Sequence, residues 1–283
     1  MPELPEVEVL ARQLRPLLCG RTIRDVIVRR QRVLQPTSSV RFKRILRGAK
    51  FIGLTRRGKY LLFELRLKKS RDKIILLGHL GMTGRMFLAR KKEALPKHAA
   101  VILDLGANHF IYEDTRYFGR LTLDLTSVEK LGPEPLDGQF TPKMFARELK
   151  RSRQPVKVKL LDQSVVAGVG NIYASEALFR AGISPRFAAN RLTLPQVDKL
   201  WRVIREVLSE AIENGSTILL NFKAHKSDGL FYFGRAAGKP DFYTERLRVY
   251  DRVGKPCLHC KTPIKRIVQA ARSTFFCPRC QKS

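Results

Sequence analysis

Two groups of residues in this chain have types and spacing suited to chemistry. The first is its start, Met1-Pro2-Glu3-Leu4-Pro5-Glu6. With the initiator Met removed, Pro2 presents a secondary amine. An α-amino group titrates near pH ~8, against ~10.4 for a lysine side chain, so an appreciable fraction is neutral and nucleophilic at neutral pH. Glu3 stands next to it as a proton shuttle for whatever that amine attacks. The second group is Cys257-x-x-Cys260 and Cys277-x-x-Cys280, with sixteen residues between the pairs. Paired knuckles at this spacing predict a tetrahedral four-thiolate zinc site. Four thiolates leave no open coordination position, so the metal is expected to be structural. His259, inside the first knuckle, is expected to fill space and not to ligate. Cys19 stands alone and reads as a small core residue.

Three glycine-bearing stretches are weaker signals. Gln163–Ile172 holds Gly168 and Gly170 just before an expected helix that Asn171 could cap. Such a turn can cradle a phosphate with its free N–H groups. Gly58-Lys59 and His79-Leu80-Gly81-Met82-Thr83-Gly84-Arg85 are expected at strand ends, where a lone Lys or His is usually just solvated.

These groups need elements to hold them. Residues 5–18 put Val7, Leu10, Ala11, Leu14, Leu17 and Leu18 on one face of an amphipathic helix stopped by Gly20. The period then becomes that of strands: 22–29, a hairpin of 51–55 and 60–65 around Arg57-Gly58, then 74–77, 85–88, 99–105, 109–112 and 121–125. A leading helix followed by many short strands predicts a β-sandwich. Gly132-Pro133-Glu134-Pro135-Leu136-Asp137-Gly138 is the best linker candidate. Helices are expected beyond it at 141–150, 156–161 and 171–181. A long one follows the capping box Thr193-Leu194-Pro195-Gln196 and ends at Asn214-Gly215. Residues 222–245 carry no clean period and read as loop.

Charge decides the class of partner. Lys and Arg number 55 against 25 Asp and Glu, a net +30 spread along 283 residues. An excess of that size attracts polyanions, of which nucleic acid is the usual one. No strongly basic amphipathic helix suggests a membrane surface. Neither a run of eighteen apolar residues nor a signal-peptide core is present, so a cytoplasmic protein is expected.

The motifs then converge in order along the chain. They are Pro2–Glu8, Gly58-Lys59-Tyr60, His79–Arg85, Asp114-Thr115-Arg116-Tyr117-Phe118-Gly119, 167–176, and Arg272-Ser273-Thr274-Phe275-Phe276-Cys277-Pro278-Arg279-Cys280-Gln281. Over nearly its full length the chain resembles bacterial formamidopyrimidine-DNA glycosylases. The resemblance implies an α+β protein with an N-terminal β-sandwich and flanking helices, a helix–two-turn–helix domain and a four-cysteine zinc finger. The corresponding domain limits are 1–131, a linker at 132–138, 139–245 and 246–283. It implies a monomer, associated with the bacterial nucleoid, acting on duplex DNA that carries oxidised bases or abasic sites. The activity implied is a bifunctional glycosylase and abasic-site lyase for oxidised purines, with one structural zinc and no organic cofactor.

Residue by residue, the resemblance makes Pro2 the nucleophile, Glu3 the proton shuttle and Lys59 a phosphate or lesion contact near the reacting sugar. His79, Lys157, Asn171 and Arg272 match phosphate-binding positions, and Glu6 one that fixes the terminal helix. Met82, Arg116 and Phe118 match residues that fill the void left by an everted nucleotide. From the residues alone, Met82 and Phe118 also fit plain core, and Arg116 an ion pair with its neighbourhood at Asp114. One departure is visible. After Lys226-Ser227-Asp228-Gly229 the segment 230–240 looks longer and more aromatic than the loop with which the family grips the everted base, and 219–224 lacks the usual Thr-Leu-Arg pattern. Two rivals share many of these features: an endonuclease VIII-like glycosylase for oxidised pyrimidines, and a damage-binding protein without catalysis.

Overall fold

The computed structural model describes residues 2–68, 72–216 and 247–282. The expected lesion-recognition loop at 222–245 lies outside them. Contacts divide the described residues into two units. One holds Pro2, Glu6–Glu129 and residues 215–216; the other holds Glu3–Pro5, Lys130–Asn214 and residues 247–282.

The chain opens with helix α1, Leu4–Leu18. Val7, Leu10, Ala11, Leu14 and Leu18 are buried as the period requires, but Leu17 is exposed, one step outside the apolar stripe. Cys19 is only half-buried. The first unit then builds two four-stranded antiparallel sheets. Strand β1 is Asp25–Val28 and helix α2 is Ser39–Leu46. The strands β2 (Lys50–Arg57), β3 (Tyr60–Arg66), β4 (Lys73–His79), β5 (Gly84–Arg90), β6 (Ala99–Asp104), β7 (Asn108–Asp114) and β8 (Arg120–Thr122) follow. One sheet runs β2-β3-β4-β8 and the other β1-β6-β7-β5. Phe51 and Phe63 of the first meet Phe110 of the second edge-on, with ring centroids 6.3 and 5.5 Å apart. That is the interleaved core of a sandwich. The apolar run of β6 is buried: its Ala99 and Ile102 cluster with Phe87 of β5 and Ile111 of β7, and Leu95 of the β5–β6 connection packs against them.

The expected strand at 22–29 is shorter for a topological reason. Thr22 bridges to Lys50 of one sheet, whereas Asp25 pairs with Asp104 of the other. Residues 23 and 24 carry the chain across, and their N–H groups go to Ala49 and Asp104 carbonyls. Helix α2 escaped the sequence reading because it is short and basic. Ser38 caps it, and only Phe42 and Leu46 point inward, one turn apart.

After a short turn, α3 (Thr126–Glu129), the second unit begins. Its helices are α4 (Pro142–Lys150), α5 (Val156–Leu160), α6 (Asn171–Ala181) and α7 (Leu194–Ser216). The capping box is formed as expected, with Gln196 Oε1 accepting from the Thr193 N–H at 2.9 Å. Segment 132–138, expected as a linker, is tied down. The Gly132 N–H donates to the Gln163 carbonyl, and Arg205 donates to the carbonyls of Pro135 and Asp137. A hairpin of β9 (Lys265–Gln269) and β10 (Arg272–Phe276) ends the unit. Its chain end is held by Gln281, whose amide donates to the Ile183 carbonyl.

Candidate functional site

Glu3 is held by the start of a distant helix. Its side chain is buried, and its carboxylate accepts the N–H of Ile172 at 2.9 Å and of Tyr173 at 3.3 Å. Those are unpaired donors of the first turn of α6, so Glu3 caps a helix about 170 positions away in sequence, and the helix N-terminus complements its charge. The sequence reading gave the capping role to Asn171 and a phosphate to the glycine turn. Instead Gly170 is the N-cap, and the turn receives the start of the chain. A Cβ on Gly170 would lie 2.3 Å from Glu3 Cδ, and one on Gly168 2.6 Å from the Leu4 side chain. The Leu4 N–H donates to the Gly168 carbonyl, and Gln163 braces the turn by bonding Gly168 and Val169. Pro2, one peptide bond before Glu3, is buried.

Asn171, freed from capping, joins a polar cluster. Buried Lys157 donates to Asn171 Oδ1, to Thr274 Oγ1 at 2.9 Å and to the Ser273 carbonyl at 3.3 Å. Asn171 donates to that same carbonyl at 2.9 Å. The cluster thus sits where α5, the start of α6 and β10 meet, with exposed Arg272 at the head of β10. Burial lowers the Lys157 ammonium to about 8; the Arg272 charge adds to this and the Glu3 charge opposes it. Tyr250 lies beside the cluster: burial raises its pKa, and the Asn171 side chain opposes the rise. Its backbone is fixed by Glu176, a residue sequence reasoning passed over. The buried Glu176 carboxylate gathers the N–H groups of Arg248, Val249 and Tyr250 at 2.8–2.9 Å. Burial pushes its pKa up while those three donors oppose the rise. A glutamate inside an apolar helix stretch is a signal that could have found it.

In the first unit, the β2–β3 turn and the end of β4 bring Lys59 and His79 together. Tyr60 pairs with His79 in register, and their rings lie 4.7 Å apart. Lys59 is buried. Burial first, then the charges of Lys59 and Arg120, hold the His79 imidazole at about 4. Its Nδ1 accepts the Gly81 N–H at 3.2 Å, which leaves the proton of the neutral ring on Nε2. His79 is therefore a neutral donor at pH 7 and not a cation.

Met82, Arg116 and Phe118 also come together. The Arg116 guanidinium lies 4.8 Å over the Phe118 ring and 3.5 Å from Met82 Sδ. Met82 is 50% and Phe118 46% exposed, so neither is core. Nor does Arg116 form an ion pair among the described residues: Asp114 accepts its backbone N–H only. Asp114 is the hub that sequence reasoning missed. Fully buried, it accepts from Thr83 Oγ1 at 2.6 Å, from the Gly119 N–H at 2.9 Å and from the Tyr112 hydroxyl at 3.3 Å. It thereby locks the loop of Met82 to the loop of Arg116 and Phe118. Their backbones touch, since a Cβ on Gly81 would lie 2.6 Å from the Gly119 nitrogen.

The four knuckle cysteines converge, with their sulfurs all within 4.8 Å of one another. Cys257 and Cys280 are 3.9 Å apart, Cys260 and Cys277 3.4 Å. A zinc ion with Zn–S bonds of ~2.3 Å at a tetrahedron's centre requires sulfurs ~3.8 Å apart, so the donor set fits. The sulfurs cannot all ionise without a cation. Burial pushes the Cys277 and Cys280 thiols up, while hydrogen bonding with Thr262 brings Cys260 down to about 6. His259 touches Cys280 Sγ at 3.6 Å and is not part of the donor set.

Comparison with known proteins decides the family. Residues 1–121 match the formamidopyrimidine-DNA glycosylase N-terminal domain, and residues 131–222 its H2TH domain. Residues 254–282 match the zinc finger found in FPG and IleRS. The chain belongs to the formamidopyrimidine-DNA glycosylase family. It is 40% identical to the formamidopyrimidine-DNA glycosylase of Desulfitobacterium hafniense, over 99% of this chain and 100% of that protein. Among solved structures it is similar to Lactococcus lactis Fpg in complex with abasic-site DNA, with a TM-score of 0.86 and 32% identity over 99% of this chain and 100% of that one. It is likewise similar to a variant of that enzyme bound to DNA containing Fapy-dG, with a TM-score of 0.86 and 34% identity over 100% of both chains. The chain is thus an enzyme, a DNA-repair glycosylase with a zinc finger, and the expectation of an α+β fold with four zinc-binding cysteines is met. Among the described residues, no helix is long and apolar enough to cross a membrane.

Proposed function

We propose that this glycosylase removes oxidised purines, 8-oxoguanine and formamidopyrimidines, and then cuts the strand, with the amine of Pro2 as nucleophile once Met1 is removed. The observation that carries the reading is the capping of α6 by Glu3, which fixes the chain one peptide bond from that amine. The amine attacks C1′ of the damaged nucleotide; the new C–N bond forms as the glycosidic bond breaks and the base leaves with a proton. Glu3 protonates the ring oxygen, the sugar opens and an iminium results. That electron sink acidifies the C2′ proton, whose loss expels the 3′ phosphate, and a second elimination expels the 5′ phosphate.

The remaining residues have supporting roles. Lys59 contacts phosphate or lesion beside the reacting sugar. His79, Lys157, Asn171 and Arg272 hold phosphates, His79 as a neutral donor. The target nucleotide must leave the stack, at a cost of a few kcal/mol. Met82 and Phe118 wedge the gap, and Arg116 offers its planar edge to the orphaned base; their exposure and mutual contact support this. The catalytic domain is 1–131, followed by the segment 132–138, the helix–two-turn–helix domain 139–245 and the finger 246–283. The enzyme works as a monomer on nucleoid DNA in the cytoplasm.

The test is borohydride trapping on duplex DNA carrying 8-oxoguanine, followed by peptide mapping. DNA should appear on the peptide that begins with Pro2. A trapped product on an internal lysine overturns the mechanism.

A further inference from the structure

A second concentration of positive charge uses none of the candidate-site residues. In the first unit, the crossing segment at Thr22–Arg24, helix α2 and the end of the β3 arm surround an open concavity of about 930 Å³. Among the described residues, its wall carries five cations, Arg24, Lys43, Arg44, Arg47 and Lys68, and no carboxylate. Arg47 is paired with Asp25 at its edge. Among the described residues, Arg24, Lys43, Arg44 and Lys68 have no ion-pair partner.

The concavity is built by the fold and not by loose side chains. Gly48, at φ +84°, lets the Lys68 stem lie over the backbone, since a Cβ there would come within 2.7 Å of Lys68 Cδ. Gly106, at φ +95°, does the same for the Arg24 guanidinium, 2.9 Å from its own missing Cβ. Both positions favour glycine on conformational grounds as well.

Its place on the sandwich separates it from the candidate site. Lys59 precedes β3 and Lys68 follows it, and seven extended residues at ~3.3 Å each put them roughly 20 Å apart or more. At that distance in ordinary salt the two groups of charges act independently. Four uncompensated cations facing one hollow attract a chain of phosphates far better than a single small anion. In a DNA-repair glycosylase the polyanion always at hand is more DNA.

We propose that this concavity is a second, sequence-independent site for the phosphate backbone of duplex DNA, which holds an undamaged segment while the first is engaged. Such a site lets the enzyme pass between segments without entering free solution, because counterions released from the new segment compensate for the phosphates given up on the old one. The proposal does not depend on the chemistry of Pro2.

The experiment uses the full zinc-loaded chain bound to a labelled short duplex that carries a stable abasic analogue. Unlabelled undamaged duplex is then added at increasing concentration and dissociation is followed. The parent should dissociate faster as competitor rises, by at least fivefold over the range. The triple variant Arg24→Glu, Lys43→Glu, Arg44→Glu should dissociate at the competitor-free rate throughout, with excision on the short duplex unchanged. Lys68→Glu alone, which leaves α2 untouched, should lower the competitor effect in part and guards against misfolding of the triple variant. Dissociation of the parent that ignores competitor overturns the proposal, as does an undiminished effect in both variants. Parent protein that sediments with phosphatidylserine vesicles at physiological salt, with vesicle binding lost in the variants and competitor response retained, also overturns it and assigns the hollow to a membrane surface.

Discussion

At the scale of single residues, the structure separates charge from hydrogen bonding among the expected phosphate contacts. Arg272 is a full cation, and Arg272→Ala should lower the slope of log affinity against log salt by about one. His79 is neutral at pH 7, so His79→Gln should weaken DNA binding and leave that slope unchanged. Binding titrations at four or more salt concentrations distinguish the two. The same histidine couples to acid stability. Its folded value near 4 lies below the ordinary 6.5. Between those values the unfolded chain binds a proton that the native chain refuses, so stability falls as pH drops from about 6.5 towards 4 and then levels. Urea melts at pH 7, 5.5 and 4 should show a shallower loss for His79→Gln than for the parent.

At the scale of elements, the finger hairpin carries strain. Ala270 and Ala271 join β9 to β10 in a two-residue turn with φ of 45° and 57°. That turn suits Asn-Gly, and left-handed backbone costs an ordinary L-residue ~1 kcal/mol or more. Ala271→Gly should stabilise the protein by about 0.5–1 kcal/mol, read as a higher thermal midpoint with zinc content unchanged. Elements with strong local signals were legible in the sequence: α1, the β2–β3 hairpin, the capping box of α7 and the cysteine knuckles. Contacts distant in sequence were not. Nothing near Asn171 announces that Glu3 takes over its cap, and nothing near Asp114 that its carboxylate accepts from Thr83 of another loop. Local periodicity equally misread Leu17 as inward. Met82 and Phe118 look like core by composition, and only the surface geometry shows them exposed beside Arg116.

At the scale of the whole molecule, the zinc site stabilises more than its own knuckles. Buried Cys257 and Cys277 share an apolar cluster with Phe179 of α6, Val249, Ile264 and Phe275 of β10. The same β10 supplies Thr274 and the Ser273 carbonyl to Lys157 and Asn171. Stripping zinc with a chelator, or Cys280→Ser, should release the metal and weaken DNA affinity at least tenfold, since structural zinc supplies folding energy to a small module. Added zinc should restore the chelated parent but not the variant; a zinc-free chain that binds and excises normally would contradict the assignment. The seat of Glu3 also has a consequence for biosynthesis. Glu3 and Leu4 find these partners only when Gly168–Tyr173 have been made, some 165 residues later. At about 5–20 residues per second this leaves roughly 10–30 s in which the nascent start hangs loose outside the ribosome. An aminopeptidase has that interval to trim Met1 before Glu3 is seated on α6. On the mechanism proposed above, maturation of the nucleophile is in this sense a race against translation.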